Sequence, residues 1–154
     1  MYKRILVPVD GSDASNKALA AALQMARDSA GSVRLLHVMD AGSYFGGFDP
    51  YGTFTADLLG VMREAGMKVL TDAAEAAKAG GVEATWSLSE NMDSRLGETV
   101  ADEARLWNAD LIVTGSHGRR GVGRIVLGSG AEQIMRLAPV PVLLVRAAPD
   151  AARG

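Results

Sequence analysis

The chain has 154 residues and a formal net charge of −2, from 16 Lys and Arg against 18 Asp and Glu. This length favours one compact domain, and a content of 48% hydrophobic and 22% charged residues excludes a mainly disordered chain. The slight negative charge is not the basic footprint of a nucleic-acid-binding protein, so we expect no nucleic acid partner. Cysteine is absent, which excludes disulfides and thiolate metal sites and favours a reducing compartment.

Neither a signal peptide nor a membrane span is visible in the sequence. The first apolar run, residues 5–9, ends at Asp10 and is too short for the core of a signal peptide. The run from Val140 to Val145 is far shorter than the roughly 20 residues that cross a bilayer. We therefore expect a cytoplasmic protein with one domain over residues 1–147 and a flexible tail over residues 148–154.

Short β-rich apolar runs alternate with longer amphipathic stretches. Residues 4–9 predict a first strand that is buried on both faces, and Ser12 can N-cap the helix that follows. Gly31 occupies the place of that helix's C-cap. The remaining elements are predicted in this order: β2 over 33–39, α2 over 57–79, β3 over 82–89, α3 over 94–108, β4 over 109–114, α4 over 129–137 and β5 over 140–146.

This order of elements predicts the topology. Strands that are separated by helices pair in parallel, and right-handed crossovers place the helices on both faces of the sheet. The fold class is therefore a doubly wound α/β fold with a five-stranded parallel sheet. Ligands of such sheets bind beyond the carboxyl ends of the strands, where the strand order reverses. The candidate site regions are residues 10–12, the chain from Met39 onward and the chain from Gly115 onward.

The segment after β4, residues 114–130, holds six of the 18 glycines. Glycine lets backbone N–H groups converge on an anion, and the start of α4 at Ser129 adds a helix dipole that favours phosphate. Three arginines between residues 119 and 124 add positive charge. The pattern favours a phosphate-binding loop, and a flexible solvated loop is the alternative.

Two common phosphate-binding motifs do not fit this chain. Gly118 and Gly123 have the spacing of a P-loop, but Arg124 and Ile125 stand where Lys and a Ser or Thr are required. The dinucleotide motif G-x-G-x-x-G should follow the first strand directly, where this chain has only Gly11. Dehydrogenase chemistry is therefore disfavoured.

A third signature is complete: Gly, two residues, Gly, nine residues, Gly, then Ser or Thr. It is matched without a gap by Gly115, Gly118, Gly128 and Ser129. Together with the segments 5–12, 109–118 and 139–146, this motif makes the chain resemble the universal stress proteins, specifically their ATP-binding branch. The resemblance covers nearly the whole chain and implies a Rossmann-like fold of the type that binds adenine nucleotides.

The resemblance also assigns roles to individual residues. Those around the adenine and ribose would be Pro8, Val9, Asp10 and Val38. The end of β4 and the residues after it would follow the ribose and the α-phosphate: Thr114, Gly115, Ser116, His117 and Gly118. The β- and γ-phosphates would be held by Gly128, Ser129 and Gly130. Ala131 departs from the family pattern, because a second hydroxyl residue is common at that position.

Some of these side chains also have simpler interpretations. The role of Asp10 could be limited to a turn through Ser12. Asp13 is expected to interact with the dipole of the first helix. His117 has no triad or metal-ligand spacing around it, which favours a polar loop residue. His37 is expected to be a satisfied sheet residue. We expect no protein-built metal site, so any Mg²⁺ would arrive with the nucleotide.

The leading functional hypothesis is a dimeric, ATP-dependent regulatory module of the stress response, with slow or no hydrolysis. Phosphoryl transfer needs a positioned nucleophile, a metal anchor and charge stabilisation, and only the last is identifiable in the sequence. Two alternatives stay open. One is a slow ATPase or nucleotide-transferring enzyme, and the other is an interaction protein with an empty glycine loop.

Two further segments carry hypotheses. Residues 41–55 hold five of the eight aromatic residues and follow β2 at the ligand edge, which predicts a mobile lid or a partner-docking surface, with packing over α2 as the alternative. The C-terminal strand, Val140 to Arg146, predicts a homodimer contact. Pro141 suits a strand start or edge, and the apolar residues after it would leave an exposed edge in a monomer. The family resemblance implies the same arrangement.

Overall fold

The computed structural model describes residues 1–40, 56–116 and 127–147, so the aromatic segment 41–55 and the tail 148–154 lie outside the described residues. The predicted order of elements is confirmed, with bounds that move by two residues or fewer. The elements are β1 (Arg4–Pro8), α1 (Asp13–Ser29), β2 (Ser32–Val38), α2 (Ala56–Ala79), β3 (Glu83–Ser89), α3 (Leu96–Trp107), β4 (Leu111–Gly115), α4 (Ser129–Leu137) and β5 (Val142–Val145).

The five strands form one parallel sheet in the order β3-β2-β1-β4-β5. The chain builds outward from β1 through β2 to β3 and then returns to the other side of β1, where Ile5 pairs with Leu111 and Leu6 with Ile112. The strand order therefore reverses between β1 and β4. This arrangement confirms the predicted doubly wound α/β fold.

The helices cover both faces of the sheet, and each face has its own hydrophobic core. Ile5 and Val7 of β1 point to the face that packs against α1 and α2. Leu6, between them, points to the opposite face, where it meets Val100 of α3 and Ile134 of α4. Neighbouring side chains of a strand point to opposite faces, so the buried, apolar stretch Ile5–Val7 of β1 contributes to both cores, as predicted for a strand buried on both sides.

No helix within residues 1–40, 56–116 and 127–147 combines the length and the hydropathy that crossing a bilayer requires.

The start of α1 follows the prediction, and its end does not. The side chain of Ser12 accepts a hydrogen bond from the Ser15 N–H at 3.2 Å, and Asp13 lies in the first turn. The C-cap is Ala30, with φ 54° and ψ 41°, so the placement of the C-cap at Gly31 is wrong. Gly31 has a different role: an ideal Cβ there would lie 2.7 Å from the carbonyl oxygen of Lys3. Glycine at this position allows β2 to start directly against β1.

A pair of Gly→Ala variants tests this explanation. Gly31→Ala should lower the free energy of unfolding by about 1–3 kcal/mol, because the new methyl group meets backbone atoms that cannot move aside easily. Gly60→Ala is the matched control: Gly60 lies inside α2, and among the described residues no atom beyond its chain neighbours and its own helix backbone lies within 4 Å of its ideal Cβ. It should raise the free energy of unfolding by roughly 0.5–1 kcal/mol through better helix propensity. Urea denaturation followed by circular dichroism measures both, and changes of the same sign in the two variants would contradict the explanation.

Candidate functional site

A cavity of about 420 Å³ opens at the carboxyl edge of the sheet, where the strand order reverses. Its walls come from the ends of β1, β2 and β4, the first turn of α4, one side of α2 and the segment that leads into α3. This volume lies in the range of roughly 300–1,000 Å³ that is typical of small-molecule sites. The fold therefore places a ligand-sized cavity where a doubly wound sheet is expected to bind its ligand.

Nine of the twelve residues that were predicted for the site line this cavity: Pro8, Val9, Asp10, Val38, Thr114, Gly115, Gly128, Ser129 and Gly130. Ser116 is buried beside them, and its carbonyl oxygen accepts the Gly128 N–H at 2.8 Å. His117 and Gly118 lie outside the described residues. The structure thus brings together residues from three separate parts of the chain.

Asp10 sits in a tightly hydrogen-bonded turn at the end of β1. Its Oδ1 accepts the Ser12 N–H at 2.9 Å, and its own N–H donates to the Ser15 hydroxyl at 3.0 Å. Gly11 between them has a φ of +82°, a value that glycine adopts easily. The turn through Ser12 is confirmed, and it fixes the Asp10 carboxylate at the wall of the cavity, where it can accept hydrogen bonds from hydroxyl groups.

The end of β2 forms the neighbouring wall. The Val9 N–H donates to the Leu36 carbonyl oxygen at 2.8 Å, and the Met39 N–H donates to the Ser89 carbonyl oxygen at 2.9 Å. The Nδ1 of His37 lies 2.8 Å from the Val9 carbonyl oxygen, so Nδ1 carries the proton that makes this bond. The expectation of a satisfied His37 in the sheet is confirmed. These bonds hold the ends of three strands in one layer.

The apolar side of the cavity contains three methionines: Met39 after β2, Met62 of α2 and Met92 after β3. Val38 and Val69 also line the cavity and add to this apolar surface. Methionine side chains are flexible and polarisable, so they adapt well to a flat aromatic ligand. In the sequence, Met62 is indistinguishable from the other core positions of α2, and only the fold shows that it faces a cavity.

A second, polar side of the cavity is formed by the first turn of α4. Gly128 is the N-cap and offers no side-chain oxygen to the N–H groups of this turn. Its φ of −66° is accessible to any residue, so a substitution there adds no backbone strain. Free N–H groups at a helix start attract anions, and the helix dipole has the same effect. This end of the cavity is suited to a phosphate or another anion.

The start of α3 lies directly against the start of α4. The Gly97 N–H donates to Oε1 of Gln133 at 3.1 Å, and an ideal Cβ on Gly130 would lie 2.7 Å from Cδ2 of Leu96. Arg95, the N-cap of α3, lines the cavity together with Leu96 and Gln133. The sequence prediction missed all three. One signal for the residues before α3 was available in the sequence. β3 ends at the same edge of the sheet as the other parallel strands, so the segment that follows it is also expected near the ligand edge.

An ion pair between Arg63 and Glu90 joins α2 to the segment after β3. Arg63 donates from Nε to Oε1 of Glu90 at 2.9 Å and makes a second bond from Nη2 to the same oxygen. Both side chains are about half exposed. The hydrogen bond from Arg63 lowers the pKa of Glu90, and the same bond raises the pKa of Arg63. The pair therefore joins the two segments that carry Met62 and Met92.

The Arg63–Glu90 pair predicts a measurable titration. Arg63→Ala should raise the pKa of Glu90 back toward the ordinary value of a glutamate, because the hydrogen bond that lowers it is lost, and NMR of the side-chain carboxyl follows this change. Because the folded pKa of Glu90 is lowered, the pair stabilises the protein above the unfolded pKa, and this contribution is lost as the pH falls through the folded pKa. Lys68→Ala, which removes another exposed ion pair of α2, is the control. An unchanged Glu90 pKa in Arg63→Ala would show that Arg63 does not lower it.

In residues 1–40, 56–116 and 127–147, no three His, Asp or Glu side chains come together in a way that could hold a metal ion.

Relatives of this chain are found along nearly its whole length. The sequence profile of the universal stress protein family matches residues 1–146. Universal stress protein MJ0531 of Methanocaldococcus jannaschii is 32% identical over 146 residues, which are 95% of this chain and 83% of the relative. Universal stress protein YxiE of Bacillus subtilis is 30% identical over 151 residues, which are 95% of this chain and 100% of the relative.

Several solved structures of universal stress proteins share this fold. A universal stress protein family member from Burkholderia pseudomallei is 33% identical, with a TM-score of 0.74 over 94% of this chain and 96% of the other. A universal stress protein in complex with cAMP is 22% identical, with a TM-score of 0.66 over 96% and 98% of the two chains. The protein from Archaeoglobus fulgidus in complex with dAMP is 24% identical, with a TM-score of 0.69 over 94% and 98%.

Proposed function

This chain belongs to the universal stress protein family, and we propose that it binds ATP at the carboxyl edge of its sheet as a regulatory module of the cytoplasmic stress response. The observation that carries the proposal is the convergence of three features on one cavity: the Asp10 turn, the apolar wall at Val38 and the first turn of α4. A chain without cysteine suits a reducing compartment, which supports the cytoplasm as its location.

The adenosine half of the nucleotide suits the side formed by β1, β2 and α2. The Asp10 carboxylate can accept hydrogen bonds from ribose hydroxyls, as acidic residues do in other doubly wound sheets. Val38 and the methionines of the apolar side offer a surface for an adenine ring. Relatives with the same fold have been solved with the adenine nucleotides cAMP and dAMP, which supports this class of ligand.

The phosphates suit the polar side. Ser129 and Gly130 form the first turn of α4, whose N–H groups have no side-chain cap and whose dipole attracts negative charge. The hydrogen bond from the Gly128 N–H to the Ser116 carbonyl oxygen brings the end of β4 next to this helix start. A chain of phosphates that leaves the ribose near Gly115 can therefore run toward α4.

Slow or no hydrolysis is part of the proposal. Efficient phosphoryl transfer needs a positioned base and a metal anchor as well as charge stabilisation. Among the described residues that line the cavity, Asp10 and Asp40 are the acids, and Asp10 already accepts the Ser12 N–H through Oδ1. We infer that Mg²⁺, where it takes part, is carried by the phosphates of the nucleotide.

Mass spectrometry of the denatured protein, purified without added nucleotide, tests this function directly. We expect ATP in near-stoichiometric amount, because a regulatory module that releases ATP slowly retains it through purification. ADP or AMP in its place would indicate turnover and would overturn the proposal of slow hydrolysis. Protein without any nucleotide that also fails to bind ATP in a calorimetric titration would contradict ATP binding itself.

Three substitutions separate the two halves of the site. Asp10→Ala should weaken adenosine and ATP alike, since both ligands carry the ribose. Ser129→Ala should weaken ATP by about tenfold and leave adenosine unchanged, because only the phosphates reach α4. Gly128→Val should weaken ATP because its side chain obstructs the approach of the phosphates to the backbone. Isothermal titration calorimetry measures each change.

The control for Ser129→Ala is Ser87→Ala on β3, a serine that does not line the cavity. It should bind both ligands like the wild type. A Gly128→Val protein that is folded by circular dichroism and binds ATP as tightly as the wild type would contradict phosphate binding at the start of α4.

We also propose that the protein is a homodimer through β5. This strand is one edge of the sheet, and its Leu143 is 39% exposed. An apolar edge strand exposes unpaired backbone groups and attracts other strands, and pairing two copies of β5 would cover it. Pro141, directly before the strand, lacks an N–H and suits such an edge position.

A charge on the edge strand tests the dimer. One chain has a mass of 16.1 kDa, and light scattering of the wild type at micromolar concentration should give twice this mass. Leu143→Lys should give a monomer, because a buried lysine at the interface would lose its hydration. Trp86→Lys is the control, since Trp86 is an exposed apolar residue on β3, the opposite edge strand. A monomeric wild type, or a Leu143→Lys dimer, would contradict the proposal.

A further inference from the structure

We propose that Arg95 is a specificity-determining residue that binds the outer phosphates of the nucleotide and makes the site prefer nucleoside polyphosphates to nucleosides and monophosphates. This inference rests on the proposed function and adds a residue outside the glycine signature. Three observations carry it: the position of Arg95 beside α4, the anchoring of its backbone, and a positive charge that no other Lys or Arg among the described lining residues provides.

The first observation is position. Arg95 directly precedes Leu96, whose Cδ2 is in close contact with Gly130 in the first turn of α4. Gly97, one residue further, donates to the side chain of Gln133 on the same helix. The backbone of Arg95 is therefore held within side-chain reach of the helix start that is proposed to bind phosphate. The Asp10 turn and the apolar side form the other walls of the cavity.

The second observation is a fixed backbone with an uncommitted side chain. Arg95 has an extended backbone, with φ −75° and ψ 155°, and its carbonyl oxygen accepts both the N–H and the hydroxyl of Thr99, at 3.1 and 3.2 Å. Its side chain makes no capping hydrogen bond to α3. Asn91 stabilises the preceding segment by accepting the Asp93 N–H at 3.1 Å. The point from which the guanidinium group extends is thus well defined.

The third observation concerns charge. Four arginines of the described chain form ion pairs with carboxylates: Arg34, Arg63, Arg105 and Arg136. Within residues 1–40, 56–116 and 127–147, Arg95 forms no such pair, although Asp93 and Glu98 are close in sequence. It is also the one Lys or Arg among the described residues that line the cavity. Its positive charge is therefore available to a ligand.

Phosphate is the ligand group that fits these properties. A guanidinium group presents its N–H donors in a planar fork that matches two phosphate oxygens, and it stays charged at every physiological pH. Each further phosphate adds negative charge close to α4 and Arg95, whereas an adenosine without phosphates leaves Arg95 without a partner. The contribution of Arg95 should therefore increase from AMP through ADP to ATP.

Calorimetric titration of adenosine, AMP, ADP and ATP into Arg95→Gln and Arg95→Lys tests the assignment. Arg95→Gln should weaken ATP by tenfold or more and adenosine by less than twofold, since bonds to charged partners are the stronger ones. Arg95→Lys should recover part of the ATP affinity, because it restores the charge and not the two-pronged geometry. Arg105→Gln, an exposed arginine in the last turn of the same helix and outside the cavity, should bind all four ligands like the wild type.

Circular dichroism confirms that each variant is folded before the titrations are compared. Equal affinity of Arg95→Gln and the wild type for ATP, or an equal loss for adenosine and ATP, would overturn the role of Arg95 and leave nucleotide binding intact. A wild-type protein that binds neither adenosine nor ATP would overturn the proposed function itself. The two failures are therefore distinguishable in one set of measurements.

Discussion

The reversal of strand order between β1 and β4 is the constraint on which the rest of this structure depends. β1 and β4 are neighbours in the sheet, yet the chain leaves β1 toward α1 on one face, and α4, which follows β4, lies on the other face. Two connections that diverge in this way leave a gap at the carboxyl edge, because neither helix covers it. The cavity, its polar side at α4 and the Asp10 turn are all consequences of this one topological feature.

Close packing of glycines sets the shape of that gap. An ideal Cβ on Gly115 would lie 2.8 Å from Cβ of Ala14, and one on Gly97 would lie 2.6 Å from Cβ of Gln133. The first contact brings β4 against α1, and the second brings α3 against α4. The elements on both sides of the start of α4 are therefore held by direct contact with their neighbours. Since protein interiors resist small displacements, this end of the cavity is preorganised.

The sequence predicted the architecture well because each strand and helix has its own periodicity. β1 is apolar on both faces and α4 begins at Ser129 as expected, and each of these signals is local. The predicted site residues at Asp10, Val38 and Ser129 also converge on the cavity, because the carboxyl ends of parallel strands share one edge. Their roles toward a nucleotide stay predictions.

What the sequence could not supply are contacts between elements that are distant along the chain. Met62 has the spacing of a core residue, and only the angle at which α2 packs makes it face the cavity. Arg95 precedes a helix like many surface arginines, and its position became clear only from the contact between α3 and α4. Gly31 stands after a helix, where a C-cap glycine is common, yet the close approach of the Lys3 backbone is the reason for a glycine at this position. In each case a contact between distant parts of the chain determines the role of the residue, and the local sequence pattern does not encode that contact.

The central claim is that one nucleotide spans the cavity with its base on the apolar side and its phosphates at α4. NMR spectra of the backbone amides, recorded during parallel titrations with adenosine and with ATP, test this claim most directly. The account predicts that Val9, Asp10 and Met39 shift with both ligands, whereas Ser129 and Gly130 shift with ATP alone. Shifts that cluster away from the carboxyl edge of the sheet, or α4 amides that respond equally to adenosine, would contradict it.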